Sequence, residues 1–237
     1  MPVDAATLDG ARVLVTGASR GLGAAIARSL AAHRVHLVLT ATDAGRLTVV
    51  AHDCRAQGAR VEVLALDLGD ADSVDAAATA IAGFVPRLEG IVLNGAILGV
   101  GGPIASIAPH DMAHAMAVNV TGPLRLLHRL DPVIARGAGV VVMTSGAAGK
   151  PGRGAYGLSK GMFDVAAGML RDEWRDREIR VVCVNPGPVR TDMRAAAHPE
   201  EDPATVPPPS ERVAPIIAVL AGDDPGPLVQ ASEWGLT

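Results

Sequence analysis

The sequence has few cysteines, few aromatic residues and no long apolar run. Two of its 237 residues are cysteine and one is tyrosine. Cys54 and Cys183 lie in separate apolar or helical patterns without a second ligand nearby, which favours structural thiols over a disulfide or a metal site. No apolar run approaches the roughly 20 residues of a membrane-spanning helix, and no basic stretch followed by an apolar one opens the chain. We therefore expect a cytoplasmic protein without membrane contact.

An excess of charge of one sign is also missing. The 21 basic and 25 acidic residues give a formal net charge of −4, and the basic residues are scattered. A nucleic-acid partner is not expected, because it would require clustered lysine and arginine. His110 and His114 lie four residues apart but lack a third ligand, so we expect no metal. A small-molecule substrate is the partner that remains.

Apolar residues are abundant, at 49% of the chain, and their pattern predicts the fold. Strands are predicted at 12–16, 35–40, 61–66, 90–94, 140–145 and 180–184. Ala-rich helices are predicted between them, at 21–33, 43–57, 70–83, 109–136 and 155–177. Because most strands are apolar throughout instead of alternating, helices should cover both faces of a parallel sheet. The expected class is α/β, a doubly wound, Rossmann-like parallel sheet in a single domain over 1–237.

The end of the chain is less regular. Repeated prolines predict a loop over about 192–210, which we expect to contact the substrate and to act as a lid. A last helix near 210–221 and a strand at 228–231 should close the fold.

A glycine-rich turn follows the first predicted strand and precedes a helix, as Thr16-Gly17-Ala18-Ser19-Arg20-Gly21-Leu22-Gly23. Gly17 would allow the tight turn, Gly21 would let the backbone approach a pyrophosphate, and Gly23 would let the helix pack on the strand. The strand before and the helix after favour a dinucleotide site over a plain turn. Ser19, Arg20 and Leu22 are expected to contact the cofactor with the glycines.

Tyr156 and Lys160 lie four residues apart in a predicted helix, hence on one face. A free phenol has a pKa of ~10, and a nearby ammonium lowers it, which would suit Tyr156 to proton transfer at neutral pH. A surface pair is the plain alternative. Tyr156 is the sole tyrosine and follows a strand that ends in Ser145, which favours the catalytic interpretation.

The Thr-Gly-x-x-x-Gly-x-Gly and Tyr-x-x-x-Lys motifs resemble the short-chain dehydrogenase/reductase family, and the resemblance covers nearly the whole chain. It implies a nicotinamide-dependent oxidoreductase that interconverts a carbonyl and a secondary alcohol, with Tyr156 as proton donor and acceptor. It further implies that Ser145 binds the substrate oxygen, with Thr144 as fallback, that Lys160 holds the nicotinamide ribose, and that Asn119 bends its helix and links Lys160 to solvent. It implies a homodimer or homotetramer built on the helices at 109–136 and 155–177.

The resemblance also places residues from three other segments beside the cofactor. The segment after the third strand would contact adenine, the end of the fourth strand would lie beside the cofactor, and Asn185-Pro186-Gly187-Pro188-Val189-Arg190-Thr191 would hold the nicotinamide carboxamide. The residues concerned are Asp67, Leu68, Asn94, Gly95, Pro186, Gly187, Val189 and Thr191. The sequence departs from the family pattern at Leu93, where the family has a first asparagine, and in the order of Gly95 and Ala96.

NADP is the predicted cofactor, with NAD as the alternative. An enzyme that prefers NAD carries a carboxylate near the end of the second strand, and the family's position for it falls on Ala41. Arg20 could instead meet a 2′-phosphate through charge-assisted hydrogen bonds. The alternative stays open because Asp43 could reach a ribose hydroxyl.

The substrate itself is not identified by the sequence. Leu98, Arg153 and Met193 are expected to line its pocket beside Ser145. An alternative function is a catalytically inactive nucleotide-binding regulator or scaffold of the same fold. Retention of Ser145, Tyr156 and Lys160 together argues against it.

Overall fold

The computed structural model describes residues 8–235, which form a parallel sheet with helices on both faces. The strands are β1 (Arg12–Val15), β2 (His36–Ala41), β3 (Arg60–Ala65), β4 (Leu88–Leu93), β5 (Ile134–Met143), β6 (Arg180–Asn185) and β7 (Leu228–Gln230). The helices are α1 (Gly21–Ala31), α2 (Thr48–Ala56), α3 (Ala71–Phe84), α4 (Pro109–Met116), α5 (Gly122–Leu130), α6 (Gly154–Glu173), α7 (Asp192–Ala197) and α8 (Ala214–Ala221).

The sheet order is β3-β2-β1-β4-β5-β6-β7, and every neighbouring pair is parallel. The chain winds outward from β1 in one direction and from β4 in the other, so the strand order reverses between these two strands. Ligands of such sheets bind at the carboxyl ends of the strands beside this reversal. The predicted class, a doubly wound parallel sheet, is confirmed.

The core has two parts, one on each face of the sheet, because successive strand residues point to opposite faces. Val13 and Val15 pack with α1, α2 and α8 on one face, while Leu14 packs with α3, α5 and α6 on the other. All three side chains are fully buried. Burial on both faces explains why the strands are apolar throughout.

The long helix predicted at 109–136 is wrong in two respects. A π-helical turn at Ala117–Thr121 separates α4 from α5, and β5 begins at Ile134, several residues before its predicted start. Pro132 lies in a 3₁₀ turn over Asp131–Val133 that ends the helical segment. Apolar residues continue to recur across these breaks, as at Val118, Val120 and Leu130, so hydrophobic periodicity alone could not reveal them.

Smaller differences occur at other helix ends. The segment 43–57 begins as a 3₁₀ turn at Ala44–Leu47 before α2. Residues 192–210 are not a continuous loop, because α7 occupies their first part: Thr191 caps it by accepting a 3.2 Å hydrogen bond from Arg194 N. The last helix is shorter than predicted, since Pro209–Arg212 is a separate 3₁₀ turn before α8. The predicted last strand is confirmed as β7.

Candidate functional site

The glycine turn connects the carboxyl end of β1 to the amino terminus of α1. Gly17 has a positive φ of +65°, which favours glycine. A Cβ on Gly23 would lie 2.2 Å from the carbonyl oxygen of Gly17, a distance that side chains do not reach. The sequence therefore permits a close contact between turn and helix that leaves the amide groups of the first α1 turn available to an anion.

The turn is held by the neighbouring strand β4. Asn94 Nδ2 donates hydrogen bonds to Thr16 O at 3.0 Å and to Gly17 O at 3.1 Å. Thr16 Oγ1 accepts from the amides of Asn94 and Gly95, each at 3.0 Å. Asn94, expected beside the cofactor, thus has its side-chain amide committed to the glycine turn. Thr16, which we did not assign a role, connects the two strands at the reversal of strand order.

Tyr156, Ser145 and Lys160 converge at the carboxyl end of β5. The Lys160 Nζ atom lies 5.9 Å from the centroid of the Tyr156 ring and donates a 2.7 Å hydrogen bond to Met143 O, the last residue of β5. Ser145 follows two residues later, and its hydroxyl lies within hydrogen-bonding reach of the phenol. The structure therefore brings these three predicted side chains together.

The expected lowering of the Tyr156 pKa is wrong for the protein as it stands in this structure. Burial raises the pKa of Tyr156, because a desolvated phenolate is unfavourable, and the hydrogen bond with Ser145 acts in the opposite direction. Lys160 is not among the causes of the shift. Lys160 is only 4% exposed, and burial lowers its pKa to about 8.

Asn119 lies at the centre of the π-helical turn between α4 and α5, and the bend of its helix that the family resemblance implies stays a prediction. Its side chain is 1% exposed and bonds to the β4–α4 segment through Ile97, accepting from the amide at 2.9 Å and donating to the carbonyl at 3.0 Å. It also donates a 3.0 Å hydrogen bond to Ser159 Oγ, which donates in turn to Tyr156 O. Asn119 therefore connects the π turn to α6, while the link from Lys160 to solvent stays a prediction.

Two of the three predicted substrate residues lie on adjoining segments. The β4–α4 segment pairs with the start of α6 through a parallel bridge between Gly102 and Arg153, and Gly154 N donates to Gly102 O at 3.0 Å. Leu98 lies on this segment and is partly buried, whereas Arg153 is exposed. Met193 lies on α7, after the end of β6, and is partly buried. Its position next to the other two stays a prediction.

The segment after β6 forms a turn that leads into α7. Gly187 N donates a 3.0 Å hydrogen bond to Asn185 Oδ1, and Thr191 Oγ1 donates to Val189 O at 3.3 Å. Pro186 lies between Asn185 and Gly187, and the side chain of Val189 is buried. Since β6 adjoins β5, this turn lies at the same edge of the sheet as Ser145.

Several of the residues predicted to contact the adenosine half of the cofactor have protein partners in this structure. Arg20 is exposed and forms an ion pair with Asp192 at 2.7 Å, so it is not free in this structure. Ala41 is the last residue of β2, and no carboxylate occupies that position. Asp43 accepts a 2.8 Å hydrogen bond from Gly45 N and caps the following turn. Asp67 likewise accepts from Gly69 N at 2.8 Å; the adjacent Leu68 is buried.

A cavity of about 540 Å³ adjoins the glycine turn. It lies between the outer face of α1 and the segments around Arg190 and Pro209, and its lining includes Ser19, Arg20, Gly21 and Thr191. Tyr156, Ser145 and Lys160 do not line this cavity. Within residues 8–235, no cluster of His, Cys, Asp and Glu could hold a metal ion, and no helix is long and apolar enough to cross a membrane.

Comparison with known proteins identifies the family. The sequence profile of the short chain dehydrogenases matches residues 11–202. The chain is 35% identical over 219 residues to the uncharacterized oxidoreductase YciK of Escherichia coli K12, an alignment that covers 90% of this chain and 86% of YciK. The chain belongs to the short-chain dehydrogenase/reductase family of oxidoreductases, as the sequence motifs predicted.

Solved structures agree with this assignment. The 0.95 Å structure of YciK from Escherichia coli superimposes with a TM-score of 0.88 at 31% identity and covers 96% of this chain and 97% of that chain. A protein from Shigella flexneri 2a, assigned as a short chain dehydrogenase and complexed with NADP, gives 0.85 at 29% identity, covering 97% and 100%. One from Escherichia coli CFT073, complexed with NADPH, gives 0.85 at 31% identity, covering 96% and 99%.

Sequence reasoning missed Ser159 and Asp164 as well as Thr16. Ser159 is fully buried between Asn119 and the backbone of Tyr156. Asp164 accepts a 2.7 Å hydrogen bond from Thr144 at the end of β5. Its spacing of four residues from Lys160 was the available signal, since it continues the face that carries Tyr156 and Lys160.

Proposed function

We propose that this protein is an NADP(H)-dependent oxidoreductase that interconverts a carbonyl and a secondary alcohol on a small organic substrate. The observation that carries the proposal is the convergence of Tyr156, Lys160 and Ser145 at the carboxyl end of β5. A proton donor, a cation and a hydroxyl are the groups that carbonyl reduction needs around the substrate oxygen.

A dinucleotide fits the residues at the sheet edge. The space that a Cβ would fill at Gly17 and Gly23 is taken up by the close contact of turn, helix and Asn94, so the first α1 turn can meet a pyrophosphate directly. Gly17, Ser19, Arg20, Gly21, Leu22 and Gly23 would hold the phosphates; Asp67, Leu68, Asn94 and Gly95 would lie along the nucleoside; Pro186, Gly187, Val189 and Thr191 would hold the nicotinamide. When bound, the cofactor supplies or accepts the hydride.

The chain's own residues handle the proton and the oxygen. Ser145 donates a hydrogen bond to the carbonyl oxygen and fixes its position against the phenol. Tyr156 gives its proton to that oxygen as the carbon gains a hydride, and the reverse transfer accompanies oxidation. The protonated Lys160 then faces the phenolate, which burial alone would disfavour. Lys160 would also hold the nicotinamide ribose of a bound cofactor, and Asn119 positions α6 through Ser159.

NADP is preferred over NAD in this proposal. The uncharged Ala41 at the end of β2 leaves no carboxylate to repel a 2′-phosphate, and Asp43 is committed to its own turn. The two neighbours complexed with NADP and NADPH support the same choice. Arg20 would have to exchange Asp192 for the phosphate.

The substrate pocket and the assembly complete the proposal. Leu98, Arg153 and Met193 would line the pocket beside Ser145, and residues 192–210, with α7, would cover it as part of one catalytic domain spanning 1–237.

A homodimer or homotetramer would form on α6. Its exposed apolar side chains, Leu158, Met162, Val165 and Met169, follow a spacing of four, three and four residues along one face.

A turnover assay tests the function. NADPH or NADH absorbance is followed with a panel of ketones and aldehydes, and NADP⁺ reduction with secondary alcohols. Turnover of at least one class, with higher kcat/KM for NADPH than for NADH, is the expected result. Inertness towards every compound, with NADPH bound tightly, would favour the regulator or scaffold instead.

A further inference from the structure

Asp164 lies one helical turn beyond Lys160 and two turns beyond Tyr156, on the same face of α6. Its side chain is partly buried. Oδ2 accepts the 2.7 Å hydrogen bond from Thr144 Oγ1. Oδ1 is buried and receives no hydrogen bond of normal geometry within residues 8–235, although the Cys183 thiol lies beside the carboxylate. A buried carboxylate oxygen without a hydrogen-bond donor is stabilised by a nearby positive charge.

Lys160 needs such a carboxylate because its ammonium is withdrawn from water. Its one acceptor in the described part of the chain, Met143 O, carries no charge. Burial lowers the pKa of Lys160, while the charge of Asp164 raises it. A buried ammonium without a counter-charge would lose its proton instead of remaining charged.

We propose that Asp164 is the counter-charge of the buried Lys160, a positioning residue that keeps the ammonium protonated beside Tyr156. Thr144 belongs to the same arrangement, because its hydroxyl stabilises the ionised carboxylate. The effect of Asp164 on turnover rests on the proposed function, since the charge of Lys160 affects catalysis only if Tyr156 transfers the proton.

The other groups around the pair do not replace Asp164. On α6, burial raises the pKa of Tyr156, so the phenol is neutral in the free protein. On β6, burial and Asp164 raise the pKa of Cys183 to about 12, so this thiol is neutral as well. Thr144, at the end of β5, does not ionise. Burial raises the pKa of Asp164 overall, and Thr144, Lys160 and Cys183 offset part of this rise.

The lysine content of the chain allows a direct test. Lys150 and Lys160 are its two lysines, so protein labelled with ¹³C at lysine Cε gives two side-chain NMR signals. The Lys160 signal of the wild type should titrate near pH 8. Asp164→Asn should lower that midpoint by on the order of one unit, because a neutral amide cannot stabilise the ammonium. The exposed Lys150 serves as internal reference.

Asp172→Asn is the matched control, because Asp172 lies on the same helix but is exposed and paired with Arg175. It should leave the Lys160 midpoint unchanged. Equal midpoints in wild type and folded Asp164→Asn would overturn the inference. If Asp164→Asn does not fold, the same titration is carried out on Thr144→Val. Loss of the Thr144 hydroxyl destabilises the ionised form of Asp164, so the Lys160 midpoint should fall in this variant as well, and an unchanged midpoint would overturn the inference.

The titration needs no turnover, so it remains interpretable even if the proposed function fails. In active enzyme, Asp164→Asn should also shift the alkaline limb of the kcat/KM profile to lower pH, because Lys160 then loses its proton earlier. A packing defect alone would lower kcat/KM at every pH without moving this limb. An unmoved limb together with an unmoved Lys160 signal would leave Asp164 a structural residue.

Discussion

Gly23→Ala should damage both the stability of the fold and the binding of the cofactor. The added Cβ would lie 2.2 Å from Gly17 O and 2.6 Å from Asn94 Nδ2, whereas Cβ atoms keep about 3.0 Å from other heavy atoms. The first contact is with the backbone, which cannot rotate away. Such overpacking costs roughly 1–3 kcal/mol, and the upper end applies here. Alanine recovers about 1 kcal/mol through its helix propensity, so the net loss should be about 2 kcal/mol.

Urea unfolding measures this loss. With a slope of roughly 1–3 kcal/mol per molar urea, the midpoint should fall by about 1 M. NADPH fluorescence titration should show binding weakened roughly tenfold or more, because the displaced turn no longer presents its amides to the pyrophosphate. Gly168→Ala is the matched control: it lies inside α6 with no heavy atom within 4 Å of the added Cβ, and should stabilise the protein. Wild-type stability and NADPH affinity in Gly23→Ala would refute the reasoning.

Two further substitutions test the cofactor and the assembly. Ala41→Asp should reduce the ratio of kcat/KM for NADPH to that for NADH by roughly tenfold or more, since a carboxylate at the end of β2 repels the 2′-phosphate; an unchanged ratio in folded protein would contradict this position. Val165→Glu, at a side chain that is 67% exposed, should lower the molar mass measured by light scattering, while Asp172→Asn should not. A mass that stays the same would exclude this face of α6 from the interface.

The sheet and the glycine turn could be predicted because both depend on local sequence. Val13, Leu14 and Val15 are buried on alternating faces, so their unbroken apolar run indicated a strand covered on both sides. Gly17 and Gly23 are separated as a strand-to-helix turn requires. The pairing of Tyr156 with Lys160 followed from helical spacing alone.

Features that depend on long-range contacts could not be predicted in the same way. The π turn around Asn119 is fixed by hydrogen bonds to Ile97 and Ser159, residues that are 22 and 40 positions away. The side chain of Asn94 bonds to Gly17 in the glycine turn, which lies 77 positions earlier in the chain. The raised pKa of Tyr156 comes from burial, which the spacing of Tyr156 and Lys160 does not reveal.

The most direct test of the central claim is the kcat of Tyr156→Phe, measured with a substrate that the wild type turns over. Phenylalanine preserves the ring but has no proton to donate, so kcat should fall by about 10²–10⁴ while the Kd for NADPH stays within about threefold of the wild-type value. A kcat close to that of the wild type would contradict the assignment of Tyr156 as the proton donor.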